Sequence, residues 1–246
     1  MGCVILAGGL GTRLGLKGPK GCVKVGEKET LFEILLSKMK GPVAVMTSPL
    51  NRVETEQFLK EHHFFGIEDL VLFDQDLKEG YPDGNGGVFE KLWETGIWKE
   101  WKKKGITAIG VLPIDNPLGS VEDLFPLHEE LVIRCILSRD PSEKIGRVLV
   151  EEGRVSVREY TEMATVTGLG FTGQFGCTME FVERVSQLPP VWHQIYKEGK
   201  VRFERFIFDV FPHAKTHRLV VSPRDKYFAP VKDQISLNEV RRRWKG

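Results

Sequence analysis

The chain has 246 residues, and its 35 Lys plus Arg against 34 Asp plus Glu leave a formal charge of +1, which argues against nucleic acid as a partner. With 41% hydrophobic residues, 28% charged residues and 26 glycines, it has the composition of a globular protein rich in turns, not of a disordered or fibrous one. No apolar run approaches the ~18 residues a membrane helix needs.

The first segment, Cys3 to Ala7, is apolar without polar alternation and predicts a buried, parallel strand that enters the loop Gly8-Gly9-Leu10-Gly11. It lacks the basic stretch and long apolar region of a signal peptide, so the expected location is the cytoplasm. Thr30 is placed as a helix N-cap with Glu33 as its capping-box partner, and Gly41-Pro42 stops that helix. Val43 to Thr47 predicts a strand, Asn51 to Glu61 a helix with Val53, Phe58 and Leu59 on its apolar side, and Leu70 to Phe73 a further strand. After the turn-rich residues 80–87 comes a helical stretch through Phe89, Leu92 and Trp93, then a buried strand from Ala108 to Pro113. Strands alternating with helices predict an α/β fold with a doubly wound, mostly parallel mixed sheet.

In the second half, Gly146 to Val150 and Arg154 to Tyr160 predict a hairpin about Glu151-Glu152-Gly153. Phe171 to Cys177 reads as a strand, Met179 to Val185 as a helix, Phe203 to Phe211 as a buried helix and Leu219 to Ser222 as a last strand. Residues 233–246 form a basic, helical tail in which Arg241-Arg242-Arg243 make a solvated face. No repeat or linker interrupts the chain, so a single domain over 1–246 is expected. Four scattered cysteines, without metal-ligand spacing, predict buried free thiols.

The chemistry concentrates in Leu6-Ala7-Gly8-Gly9-Leu10-Gly11-Thr12-Arg13-Leu14-Gly15 and the following Pro19-Lys20-Gly21. A glycine loop at the carboxyl end of a strand can bring backbone N–H groups against phosphate oxygens, since no Cβ blocks the approach. Arg13 adds a fork for phosphate, and Lys20 adds a point charge where negative charge builds at a reacting phosphorus. A dinucleotide fingerprint would need glycine at Leu14, and a Walker A motif would need Gly-Lys-Ser/Thr at its end, so both are excluded.

This loop resembles that of the UDP-sugar pyrophosphorylases, most closely the UDP-N-acetylglucosamine enzymes. Matching pieces follow in order: Met46-Thr47-Ser48, His63-Phe64-Phe65-Gly66, Pro82-Asp83-Gly84-Asn85-Gly86-Gly87, Asp115-Asn116 and Glu159-Tyr160-Thr161-Glu162. They continue with Phe206-Ile207-Phe208-Asp209-Val210-Phe211 and Phe228-Ala229-Pro230-Val231-Lys232. The resemblance implies a GT-A-like nucleotidyltransferase fold and Mg2+-dependent transfer of a uridylyl group from UTP to a sugar 1-phosphate. N-acetylglucosamine 1-phosphate is the expected acceptor and glucose 1-phosphate the alternative. A nucleotide-sugar-binding module without turnover is the alternative from another class.

Carried onto this sequence, the resemblance implies that Arg13, Lys20 and Lys232 act on the phosphates and that Ala7, Gly8, Gly9, Gly11 and Thr12 line the nucleotide. Uracil presents an N–H between two carbonyls, and Gln75 with Pro82 and the backbone at Gly84 is the expected reader. Asn85 and Glu159 are expected at the sugar hydroxyls. Gln174 stands where the family often has Asn in an Asn-His-Phe-Phe stretch near the acetamido group, which makes it a further sugar candidate. Asp115 and Asp233 are the expected Mg2+ carboxylates.

Overall fold

The apolar run before the glycine cluster forms β1 (Gly2–Leu6), every residue of it buried. The computed structural model describes residues 1–246 other than 16, 17, 161–166, 198, 245 and 246; Thr161 and Glu162 of the Glu159 motif, and the last two residues of the predicted tail, therefore lie outside the described residues. After β1 come α1 (Leu31–Leu36), β2 (Val43–Thr47), α2 (Arg52–Glu61), β3 (Leu70–Asp74), the short paired strands β4 (Leu77–Lys78) and β5 (Tyr81–Pro82), α3 (Val88–Glu94), α4 (Ile97–Lys103) and β6 (Ala108–Pro113). The second half holds β7 (Leu131–Leu137), β8 (Arg147–Glu151), β9 (Arg154–Arg158), β10 (Leu169–Thr178), α5 (Met179–Val185), β11 (His193–Lys197), β12 (Lys200–Glu204), β13 (His217–Val221), α6 (Arg224–Tyr227) and α7 (Gln234–Trp244).

The main sheet runs β13-β7-β10-β6-β1-β2-β3, with β8 joined to β10 and β9 to β8. Strands β3, β2, β1 and β6 are mutually parallel, as are β13 and β7, while β10 runs antiparallel between β6 and β7. Period-two alternation sends Val4 and Leu6 into a core layer shared with α3, α4 and α5. Cys3, Ile5 and Ala7 enter the opposite layer with α1, Leu59 of α2, and Leu237 and Val240 of α7. Burial on both faces explains why β1 shows no polar alternation.

Local chemistry accounts for several boundaries. Thr30 accepts the Glu33 amide through Oγ1 at 3.3 Å, which caps α1. Thr30→Ala should lower stability by about 1 kcal/mol in urea unfolding; an unchanged midpoint would show that this cap contributes nothing. The β8–β9 hairpin turns through Glu152 and Gly153, both at positive φ, which matches the strand twist. Burial pushes the Cys3, Cys22 and Cys135 thiols up to about 12, and Cys177 higher still; all four are free, and Cys22, unlike the other three, is only partly buried.

Three expectations need correction. In α2, Val53 is 75% exposed, and the helix instead buries Thr55 and Leu59 with Phe58 at the margin. The segment from Phe203 to Phe211 is not one helix: β12 ends at Glu204, and a 3-10 turn spans Ile207–His213 with Pro212 inside it. Alternation of charge at 200, 202 and 204 with Val201 and Phe203 is the strand signal that the aromatic run hides. Finally, β7 was not anticipated, because Arg134 interrupts its apolar run.

Candidate active site

The carboxyl ends of β1, β2, β3 and β6 point toward one edge of the sheet, where open α/β sheets place their ligands. A cleft of about 500 Å³ opens there. Its floor is the glycine loop after β1, with Gly8, Gly9, Leu10, Thr12 and Arg13. Gln75 after β3 and Pro82, Gly84 and Asn85 form one wall, and Asp115 after β6 with Lys20 forms another. Arg202, Glu204 and Phe206 close it from β12 and the residues beyond.

The loop is held from behind. Asn51 is buried, and its Nδ2 donates to the carbonyls of Ala7 at 2.9 Å and Gly9 at 3.4 Å, while its Oδ1 accepts the Ser48 amide at 2.9 Å. The Lys20 amide donates to the Gly9 carbonyl at 3.3 Å and the Gly11 amide to the Gly18 carbonyl at 3.0 Å. With these carbonyls turned away, the amides of Gly8, Gly9 and Leu10 have no protein acceptor among the described residues. Such a row of N–H groups is a cradle for anionic oxygens.

Each glycine of the loop has its own reason. A Cβ on Gly8 would lie 2.8 Å from Gln75 Cδ, so glycine lets the Gln75 amide sit against the loop. A Cβ on Gly9 would meet nothing within 4 Å and would project into open space beside the cradle. Gly9→Ala should therefore keep the wild-type thermal midpoint yet weaken UTP binding by about tenfold or more, measured by calorimetric titration. Unchanged affinity would show that phosphate does not approach this face.

Charge is arranged asymmetrically. Lys20 Nζ stands 3.4 Å from Asp115 Oδ2, both side chains mostly buried. Arg13 is exposed at the rim, and its charge helps hold the Asp233 carboxyl below the usual range, behind the larger effect of the Ser236 amide and hydroxyl. Gln75 is 6% exposed, and its side-chain amide has no protein hydrogen-bond partner among the described residues. It faces the cleft with both a donor and an acceptor available.

The structure thus brings together Gly8, Gly9, Thr12, Arg13, Lys20, Gln75, Pro82, Gly84, Asn85 and Asp115. It does not bring the others to the cleft. Ala7 is 1% exposed, with its amide on the Met46 carbonyl, and Gly11 is buried behind the loop. Gln174 is fully buried within β10: its Oε1 accepts the Ser120 amide and its Nε2 donates to the Tyr227 carbonyl, both at 2.9 Å, so it is a support. Glu159 follows β9 and does not line the cleft. Lys232 lies over a neighbouring hollow with Nζ 3.3 Å from the Lys144 carbonyl. Asp233 caps α7, accepting the Ser236 amide at 2.8 Å, and does not line the cleft, although the Val231 amide two residues before it donates to the Asp115 carbonyl at 2.7 Å.

Sequence reasoning gave no role to Arg202, Glu204 and Phe206, although the first two sit at alternate positions of β12 with the spacing of one strand face. It also passed over Tyr81, whose ring lies 4.1 Å from the Arg202 guanidinium.

A model of the UTP–glucose-1-phosphate uridylyltransferase family matches residues 2–76, which contain the glycine loop, Asn51 and Gln75. UDP-N-acetylglucosamine diphosphorylase 2 of Arabidopsis thaliana is 30% identical over 97% of this chain and 62% of its own length. The chain belongs to the UDP-sugar pyrophosphorylase family. A probable UDP-N-acetylglucosamine pyrophosphorylase of Encephalitozoon cuniculi is 28% identical over 95% of this chain and 81% of its own. Among solved structures of the family's fold, a putative UDP-N-acetylglucosamine pyrophosphorylase from Entamoeba histolytica superposes with a TM-score of 0.84 at 24% identity, covering 99% of this chain and 80% of that one. A UDP-glucose phosphorylase from Trypanosoma brucei shares the fold at a TM-score of 0.79 and 19% identity, covering 98% and 64%. The chain spans 62% and 52% of the first two curated relatives that it matches, so it corresponds to part of their length. No helix among the described residues is long and apolar enough to cross a membrane.

Proposed function

We propose that this chain transfers a uridylyl group from UTP to a sugar 1-phosphate, giving a UDP-sugar and pyrophosphate. The observation that carries this reading is the row of amides at Gly8, Gly9 and Leu10 lying on the same cleft as the Gln75 amide. One binds phosphate oxygens, and the other can pair with the N–H and a carbonyl of uracil. In the reaction, a phosphate oxygen of the sugar 1-phosphate attacks the α-phosphorus of UTP. The bond from that phosphorus to the bridging oxygen breaks, and pyrophosphate leaves with the electron pair.

No protein nucleophile is needed, so the residues act by position and charge. The loop amides and Arg13 hold the triphosphate. Lys20 faces the charge that gathers on the leaving oxygens. Pro82 and Gly84 bound the nucleoside, and Asn85, Glu204 and Phe206 bound the sugar.

Asp115 and Glu204 are the carboxylates that line the cleft, and no group of three or more His, Cys, Asp or Glu gathers among the described residues. That donor set fits Mg2+, which binds through one or two carboxylates plus substrate phosphates and keeps several waters. Asp115 would hold it, and the ion would supply positive charge between phosphate oxygens.

We favour N-acetylglucosamine 1-phosphate as the acceptor, on the names of the relatives, with glucose 1-phosphate as its competitor. The test is pyrophosphate release by the purified protein with UTP, Mg2+ and each sugar phosphate in separate reactions. A preference in kcat/KM identifies the sugar. Binding of UTP without release from either sugar would favour the non-catalytic module.

A further inference from the structure

The loop Pro82-Asp83-Gly84-Asn85-Gly86-Gly87 is built around a side chain from another part of the chain. Arg205 is 6% exposed, and its guanidinium lies in the loop: Nε donates to Asp83 Oδ2 at 2.8 Å, Nη2 to the same oxygen, and Nη1 to Glu90 Oε2 at 2.5 Å. The backbones pair as well. Arg205 N donates to the Asp83 carbonyl at 2.7 Å, and the Gly86 amide donates to the Arg205 carbonyl at 3.0 Å. Asp83 is fully buried and its Oδ1 has no hydrogen-bond partner, so Arg205 is the cation on which this carboxylate depends.

The three glycines all face Arg205, two of them chiefly its backbone and one its guanidinium. A Cβ at Gly84 would lie 3.1 Å from Arg205 N, with the Arg205 carbonyl closer still, and one at Gly86 would lie 2.6 Å from Arg205 Cβ. At Gly87 the first atoms met belong to the guanidinium itself, with Cζ at 2.9 Å. The glycines of this loop make room for Arg205.

The pair also sits between two sets of cleft residues. Pro82, Gly84 and Asn85 line the cleft around the buried Asp83, and Glu204 and Phe206 line it around the buried Arg205. The two segments meet at a single parallel bridge of Gly84 with Arg205, and the ion pair and backbone bonds hold the two walls in that register.

We propose that Arg205 is a positioning residue that locks the nucleoside-facing loop 82–87 against the wall formed by Glu204 and Phe206, setting the width of the cleft for the uridine and sugar of a UDP-sugar. It acts through Gly84, Asn85, Glu204 and Phe206 without lining the cleft itself. The proposal rests on the uridylyl-transfer reading for the ligand and on the geometry above for the mechanism.

The experiment compares the full chain with Gly87→Ala, Arg205→Lys, Arg205→Ala and the double variant Gly87→Ala/Arg205→Ala. UTP and UDP are titrated by calorimetry, KM and kcat are measured wherever the wild type turns over, and circular dichroism reports folding. Gly87→Ala and Arg205→Ala should each weaken UTP binding by about tenfold or more, with Arg205→Lys between them and wild type. The double variant should be no weaker than Arg205→Ala, since the added methyl then has no guanidinium to displace. In turnover the effect should appear in KM for UTP more than in kcat, whereas a lost fraction of folded molecules would lower apparent kcat at unchanged KM. Wild-type affinity in a folded Gly87→Ala, additive losses in the double variant, or a fall in kcat alone would each overturn the proposal. Should Arg205→Ala fail to fold, Gly87→Ala and Arg205→Lys decide between the same outcomes. A wild type that binds neither UTP nor UDP overturns the uridylyl reading and this proposal with it; a wild type that binds, beside folded variants that bind equally well, overturns the proposal alone.

Discussion

Lys20→Ala is expected to reduce kcat by about 10²–10³-fold at saturating UTP and sugar phosphate, the usual loss when one fixed donor to a developing charge is removed. The reason lies in its setting. Its side chain is only 13% exposed, and its ammonium rests 3.4 Å from Asp115 at the head of the cleft. A charge so enclosed acts in a lower dielectric than Arg13 at the rim, so Arg13→Ala should cost less, though still more than about tenfold. Removing Lys20 also leaves Asp115 without its ion-pair partner, so the thermal midpoint is measured beside the rate to separate lost folding from lost catalysis. Lys20→Arg should not restore the rate, since a planar fork does not place its charge where a compact ammonium does. Wild-type kcat in Lys20→Ala, measured by pyrophosphate release, would remove Lys20 from the reaction.

The largest stability effect is expected at Arg134. It lies fully buried in the middle of β7, with Nη1 2.6 Å from Ser222 Oγ, Nη2 3.3 Å from the Ser120 carbonyl and also on Asp123, and its guanidinium 3.8 Å from the centre of the Tyr227 ring. Arg134→Ala removes this junction and leaves a cavity, at a cost of about 3–5 kcal/mol in urea unfolding. A loss below about 1 kcal/mol would show that the junction is not a stabilising one.

A pH signature should accompany it. Burial alone would raise the Asp123 carboxyl, but the Tyr227 hydroxyl and the Arg134 guanidinium outweigh it and hold the group below the usual carboxylate range. A depressed folded-state value means that this contribution is present above the unfolded value, near ~4, and is lost as pH falls through the folded one. Between about pH 5 and pH 3 the variant should therefore lose less stability than the wild type. Identical acid limbs would assign the acid sensitivity to other carboxylates.

Arg134 also shows why part of the fold was hidden in the sequence. Periodicity identifies β1, β2, β3, β6 and α5 because their signals are local: apolar runs bounded by Gly, Pro or a cap. A charged residue in the centre of β7 defeats that reading, since its partners at Ser120, Asp123 and Ser222 are set by tertiary structure alone. The site divides the same way. The glycine loop, with Lys20 shortly after it, was legible because it follows a strand that periodicity finds, whereas Gln75 and Asp115, also at strand ends, took their roles from the family resemblance. Gln174 and Lys232 were placed by motif, and the structure turns both elsewhere, one into hydrogen bonds inside the sheet and the other over the Lys144 carbonyl. Arg205 carries no local signal; only its place against three distant glycines shows what it does.

The glycine loop is completed by residues far along the chain. Gln234, 220 positions beyond Leu14, donates its side-chain amide to the Leu14 carbonyl, and Arg241 reaches back to the Lys24 carbonyl at 2.9 Å. During synthesis, the glycine loop is therefore among the first segments made and among the last to be secured. β1 can pair with β2 once residue 47 is made, but its other edge waits for β6 at residue 108, and the Leu14 carbonyl waits for α7. Contacts of such long sequence separation form slowly and leave one edge of an apolar strand open in the meantime. The nascent chain thus carries one edge of an apolar strand open until β6 is made, and the glycine loop gains its last tie only when α7 has docked.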